Sequence, residues 1–184
     1  MSTTTLPTET LTGTWTIDPS HSEAGFTTRH AGIAKVRGSV AITEGSIVIG
    51  EDVASSSVTA VLDPNTIDTR DANRDGHLRS ADFFDVENIP TWTFTSTSVT
   101  AAGGDYVLVG DLTIHGVTKS VELELEFNGT ATDPFGNARA GFSATTEISR
   151  KDFGLTWNAA LETCGFLVSD TVKIALEISA IKQA

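Results

Sequence analysis

Residues 121–127 read Val-Glu-Leu-Glu-Leu-Glu-Phe, and this alternation decides the fold class. Successive side chains leave a strand on opposite faces. Val121, Leu123, Leu125 and Phe127 therefore share one face, and Glu122, Glu124 and Glu126 share the other. A strand that is greasy on one side and wet on the other belongs to an antiparallel sheet with a single covered face. Near the C-terminus Val172, Ile174, Leu176 and Ile178 alternate with Lys173, Glu177 and Ser179 in the same way. Working outward, further strands are expected over 14–18, 25–30, 35–43, 46–49, 57–63, 91–100, 106–115 and 138–149. Turn residues separate them: Asp18-Pro19, Glu44-Gly45, Ala102-Gly103-Gly104-Asp105, Gly116, and Asp133 through Asn137. Short connections favour antiparallel pairing of neighbours, and strands this numerous stack as a sandwich or close as a barrel. The Cys…Trp…Cys spacing of an immunoglobulin sandwich is missing.

One segment breaks the period. Residues 69–85 carry a helical pattern, with Ser80 as an N-cap, Asp82 in the first turn and Gly76 dividing the segment into two short helices. Leu78, Ala81, Phe83 and Phe84 fall on one wide apolar face. Pro90 ends the excursion, and Trp92 and Phe94 resume period two. A single helix cannot cover a sheet, but it can cover one end or edge of a barrel. A barrel of about eight strands is just wide enough for one slender ligand. The aromatics of this segment either line such a cavity or plug it, and sequence alone leaves both readings open.

Composition sets the bounds. The 184 residues carry a formal charge of −12, which disfavours nucleic acid and anionic lipid headgroups. One domain is expected over 13–184, preceded by a disordered Thr-rich arm over 1–12. The lone Cys164 permits no internal disulfide and reads as a small hydrophobe. No apolar run is long enough for a bilayer-spanning helix, so stable membrane insertion is not expected. The N-terminus has no basic and apolar leader pattern, so a cytoplasmic location is expected, and Asn128-Gly129-Thr130 reads as a bend instead of a glycan site.

Several motifs then fall in a recognisable order. The chain opens with Trp15-Thr-Ile17-Asp18-Pro-Ser-His21-Ser22, then Phe26-Thr-Thr-Arg-His30 and Val36-Arg-Gly38. Arg70-Asp71 follows, with Arg74-Asp75-Gly-His77-Leu78-Arg-Ser80-Ala-Asp82-Phe83-Phe84-Asp85, closed by Pro90-Thr91 and Phe94. Gly110-Asp-Leu112-Thr113-Ile-His115-Gly116-Val-Thr118 and Arg150-Lys-Asp152-Phe153-Gly154 complete the set. In this order the chain resembles the YceI-like family of polyisoprenoid-binding proteins, from Trp15 to about Ile181. The resemblance implies an all-β fold: an extended, lipocalin-like antiparallel barrel around an elongated apolar pore. It also implies a long-chain ligand in that pore, either a polyisoprenoid, an isoprenoid quinone or a fatty-acyl lipid, to be bound, sequestered or transported.

By that resemblance Phe83 and Phe84 lie near the ligand. Phe26, Trp92, Phe94, Phe142, Phe153, Trp157 and Phe166 are further lining candidates, with Leu112 and Ile114 of the Gly110 motif and His30 as a head-group donor. A homodimer is expected where a tail outgrows one pore. The chain departs from the family at Cys164, where a second glycine of a Gly-Gly pair is expected, and at Ala81, where proline is common.

No cofactor, metal site or catalytic constellation is expected. His21, His30, His77 and His115 lack the spacing of a zinc motif and are read as fixing turns through carboxylate or backbone partners. Asp71, Asp75, Asp82 and Asp85, interleaved with Arg70, Arg74 and Arg79, read as a surface ion-pair network. Asp152-Phe153-Gly154 lacks the companions of a kinase signature. Two alternatives stand beside the carrier: a cofactor-free enzyme acting on a hydrophobic substrate through His21, His30 or Cys164, and a barrel filled by its own side chains.

Overall fold

The structure is a computed structural model that describes residues 11–162 and 165–184. Its strands are β1 (Gly13–Ile17), β2 (Glu23–His30), β3 (Ala34–Ile49), β4 (Ser57–Asp68), β5 (Trp92–Ala102), β6 (Asp105–Ile114), β7 (Val117–Thr132), β8 (Ala138–Ser149) and β9 (Thr171–Lys182), and between β4 and β5 runs the helix α1 (Ala72–Arg79). From β2 to β9 each strand pairs antiparallel with the next. The circuit closes where β2 meets β9, Ala24 facing Leu176 and Thr27 facing Lys173. The result is a closed eight-stranded antiparallel barrel with no free edge.

The ninth strand does not widen the barrel. β1 also lies between β3 and β9, with Thr16 facing both Ser46 and Ile181, and it sits below β2 in the same strand position. The 3-10 turn Pro19–His21, capped by the Asp18 side chain on Ser20 N, joins the two halves of this split strand. Two adjacent expectations merge here. The Glu44-Gly45 turn is a bulge inside the single long strand β3, where the register to β4 shifts between Ile42 and Glu44. Gly45 is required at that bulge, because a Cβ there would fall on the Ile17 side chain.

The lower end, carrying the β5–β6 and β7–β8 turns, is sealed by β1 and what precedes it. Leu11 and Trp15 are each only 1 % exposed, and the Trp15 indole donates to Leu11 O at 2.8 Å. The expected arm over 1–12 is therefore too long: Leu11 is core, drawn in by its own apolar surface, while residues 1–10 lie outside the described residues.

The upper end carries α1 and the long β8–β9 connection. The helix differs from expectation. It runs unbroken through Gly76, with Asp71 as N-cap accepting from Arg74 N at 3.0 Å, and Ser80 closes it as C-cap. What overrides the glycine is anchoring to Thr69, the residue that follows β4. The buried Asp75 carboxylate accepts from Thr69 N at 2.9 Å and Thr69 Oγ1 at 2.5 Å. Nor do the arginines form the expected ion-pair network. Arg74 donates to Thr69 O and Oγ1, each at 2.7 Å, and Arg79 donates to Asn65 O at 3.0 Å. Beyond Ser80 the chain continues as tight turns, Ser80 O accepting from Phe83 N and Asp85 N, and this turns the two phenylalanines toward the barrel.

Candidate functional site

The inward face of the strands is apolar along almost its whole length, and between its packed clusters it encloses a cavity of about 270 Å³. Tyr106, Leu108, Leu112 and Ile114 contribute from β6, and Val121, Leu123 and Leu125 from β7. Phe142, Ala144 and Ile148 contribute from β8, and Val172, Ile174, Leu176 and Ile178 from β9. From Tyr106 to Ile114 is eight residues, about 26 Å of strand at ~3.3 Å each. At the usual barrel tilt of ~40° that is roughly 20 Å along the axis. The space is a tunnel, long and thin.

Two glycines keep it open. A Cβ on Gly38 would overlap the Phe26 ring, its cross-strand partner, and one on Gly110 would overlap the Phe94 ring and approach Thr95 O to 2.7 Å. Each ring lies over bare backbone and forms part of the wall. Phe84 and Trp92 meet edge to face at 4.7 Å, and Phe127 and Phe142 pack at 5.5 Å. The Trp92 indole Nε1 is buried with no hydrogen-bond partner among the described residues.

Polar wall residues are few, and one is charged. Arg150 is buried at the upper end, where its guanidinium donates to Leu155 O at 2.7 Å, Trp157 O at 2.9 Å and Ser169 O at 3.0 Å. It thereby ties both ends of the β8–β9 connection together. Burial pulls its pKa below the ordinary arginine value, and the nearby Asp170 charge opposes that. The Asp170 carboxyl is held low chiefly by the Ser149 hydroxyl at 2.5 Å.

Eight sequence-derived candidates line the tunnel: Phe26, Phe83, Phe84, Trp92, Phe94, Leu112, Ile114 and Phe142. Four do not. Phe153, 1 % exposed, is packed behind the wall with Ile114 and Leu155. Trp157 meets His77 edge to face at 4.7 Å and packs at a tilt on Phe83 at 5.3 Å, and it is not part of the tunnel wall. His30 ends β2 in an exposed position, and Phe166 is 62 % exposed on the β8–β9 connection. All four lie in or beside irregular segments, where size and motif membership say nothing of direction. Conversely, Leu108, Leu123, Ala144 and Leu176 line the tunnel without having been singled out, although period two alone places them there.

None of the four histidines is in the tunnel wall. His21 Nδ1 lies 2.8 Å from Asp18, His77 Nε2 lies 2.9 Å from Asp82, and His115 Nδ1 donates to Phe153 O at 3.1 Å. Among the described residues no group of His, Cys, Asp or Glu is arranged to hold a metal ion. Cys164 lies outside the described residues.

Comparison with known proteins agrees with this geometry. Residues 15–180 match the model of the YceI-like domain. A UPF0312 protein of Pectobacterium atrosepticum is 36 % identical over 164 residues, covering 89 % of this chain and 82 % of that protein. The protein YceI of Salmonella arizonae is 35 % identical over 164 residues, covering 89 % and 83 %. Among solved structures, the Campylobacter jejuni YceI protein aligns with a TM-score of 0.68 at 28 % identity, covering 85 % of this chain and 90 % of that one. A polyisoprenoid binding domain from Saccharophagus degradans shares the fold, with a TM-score of 0.68 at 18 % identity over 92 % and 98 % of the two chains.

Proposed function

Since the chain belongs to the YceI-like domain family, we propose that it binds one long-chain apolar molecule lengthwise in the barrel, as a carrier or store and not as an enzyme. The observation that carries this reading is the tunnel itself. An apolar void of about 270 Å³ costs on the order of 6 kcal/mol if left empty, at ~24 cal/mol per Å³. A slender hydrocarbon fills such a space, and each methylene it buries contributes ~0.8 kcal/mol. The solved relative from Saccharophagus degradans is described as a polyisoprenoid binding domain, and an isoprenoid chain is the ligand class we assign here. Histidines turned away from the lumen support binding without turnover.

Native mass spectrometry of the freshly purified protein, followed by organic extraction, tests this. A stoichiometric adduct of long-chain mass is the expected result. Phe94→Asp and Phe142→Asp each place a carboxylate on the wall and should lose the adduct while the barrel still folds, as judged by circular dichroism. Protein that stays free of lipid after incubation with prenyl, quinone and acyl chains overturns the proposal.

A further inference from the structure

The net charge of −12 hides a local reversal. Between Glu23 and Glu44 lie 20 residues without a single Asp or Glu, and they hold Arg29, Lys35 and Arg37. This is the β2–β3 hairpin, where Arg29 faces Lys35 across the ladder and Arg37 faces Thr27. All three basic residues are exposed, and no ion pair engages them among the described residues. The hairpin turn, with Ala31 and Gly32 both at positive φ and Ile33 N donating to His30 O at 3.1 Å, throws Ile33 outward, 84 % exposed. Alongside it runs the β8–β9 connection, joined by Ala31 N to Leu167 O at 2.7 Å and by a bridge between His30 and Val168. That connection presents Phe166, 62 % exposed. Two of the four large hydrophobic residues that the described structure exposes thus stand on adjoining loops, beside the three cations of the hairpin, while the connection itself carries Glu162 and Asp170. Val168, two residues beyond Phe166, lines the tunnel with Thr28 of β2 and Arg150.

From this we propose that the upper rim is a docking surface for an anionic lipid bilayer. Ile33 and Phe166 enter the headgroup–acyl boundary, and Arg29, Lys35 and Arg37 face lipid phosphates. The charge pattern selects this occupant, because each basic side chain near an anionic leaflet strengthens attachment and two apolar side chains supply an anchor of interfacial depth. The acidic remainder of the molecule does not cancel the attraction. At physiological salt a charge acts over ~8 Å, so the rim meets the bilayer while other faces are screened. Docked this way, the end of the tunnel at Val168 and Arg150 abuts the membrane, the reservoir of long-chain lipid. The use of docking for ligand exchange rests on the carrier reading above; the docking itself does not.

Co-sedimentation with vesicles tests it. Phosphatidylcholine vesicles containing phosphatidylglycerol should bind the protein, pure phosphatidylcholine vesicles should not, and added salt should release it. Replacing Arg29, Lys35 and Arg37 together by Ser should weaken binding on the order of 100-fold, at ~1 kcal/mol per basic residue. Ile33→Asp with Phe166→Asp should weaken it by at least about tenfold. Both variants alter exposed side chains, so circular dichroism and the lipid adduct seen by native mass spectrometry should match those of the parent. Failure of the parent to bind anionic vesicles, or binding that survives both sets of substitutions, overturns the proposal. So does a rim that pairs with a second copy, revealed if Ile33→Asp converts a dimer to a monomer. A tunnel that carries lipid without vesicle binding defeats docking alone; vesicle binding by a protein that never takes up lipid defeats the carrier reading alone.

Discussion

At Gly110 the absence of one carbon shapes the lumen. The Phe94 ring occupies the place of the missing side chain, and Gly38 does the same for Phe26. Gly110→Ala would push the ring inward and crowd Thr95 O, so two effects are expected. Stability should fall by about 1–3 kcal/mol, the usual cost of overpacking. Affinity for long-chain lipid should also fall, because the displaced ring narrows the channel. Chemical denaturation with and without lipid separates the two, and an alanine variant that binds like the parent would show that the ring does not define the lumen. The two glycines were legible only as members of motifs. Period two tells which way Phe94 faces, but not whether it fills the barrel or lies along its wall. That depends on the residue diagonally across the ladder. The same limit explains Phe153 and Trp157. Both sit outside regular strands, where direction follows from local turns such as the His115 bond to Phe153 O and not from any periodicity.

Among the elements, the split strand is the one whose connection depends on charge. Arg139 of β8 donates at 2.9 Å to Asp18, which precedes the turn between β1 and β2, and at 2.8 Å to Asp133 of the β7–β8 turn. The Arg139 guanidinium is the largest cause holding both carboxyls well below the ordinary carboxylate range, and the Ser20 hydroxyl (for Asp18) and the Asn137 amide (for Asp133) reinforce it. Carboxyls with lowered pKa values in the folded state stabilise it fully above ~4, the ordinary value, and that stabilisation is lost as pH falls toward the folded values. Arg139→Gln removes the cause. The stability gap between parent and variant should therefore be widest near neutrality and shrink steadily below pH ~4. Urea titrations at a series of pH values measure it, and a gap that stays constant into acid would mean the clamp acts by packing alone. At this scale the strands were largely legible, because alternation survives wherever one face is buried. The helix limits were not. Gly76 and Ser80 look like a break and a start by residue preference, but bonds from Asp75 back to Thr69 hold the helix through Gly76, and Ser80 closes it on His77 O.

For the whole molecule, eight strands closed into a barrel leave more room than the chain fills, and the size of that room decides between a loaded barrel and a plugged one. No local pattern reports it, since the same inward residues serve both states. A substitution in the tunnel wall can decide it. Ala144 faces Leu125 on one side and Leu176 on the other, and its small side chain belongs to the wall. Ala144→Phe puts a ring into the lumen beside Leu125 and Leu176. Filling empty space should leave the lipid-free variant as stable as the parent or more so. Lipid, however, should no longer stabilise it. A ligand at a hundred times its dissociation constant adds ~2.7 kcal/mol to the parent, which is roughly 5–10 °C of melting temperature for a chain of this size. Melting curves of delipidated parent and variant, each with and without a long prenyl alcohol, should show that shift in the parent only. A chain short enough to fit to one side of that ring should still raise the melting point of the variant, by less. Equal shifts with the long chain in both proteins would mean that the ligand does not run the length of the barrel.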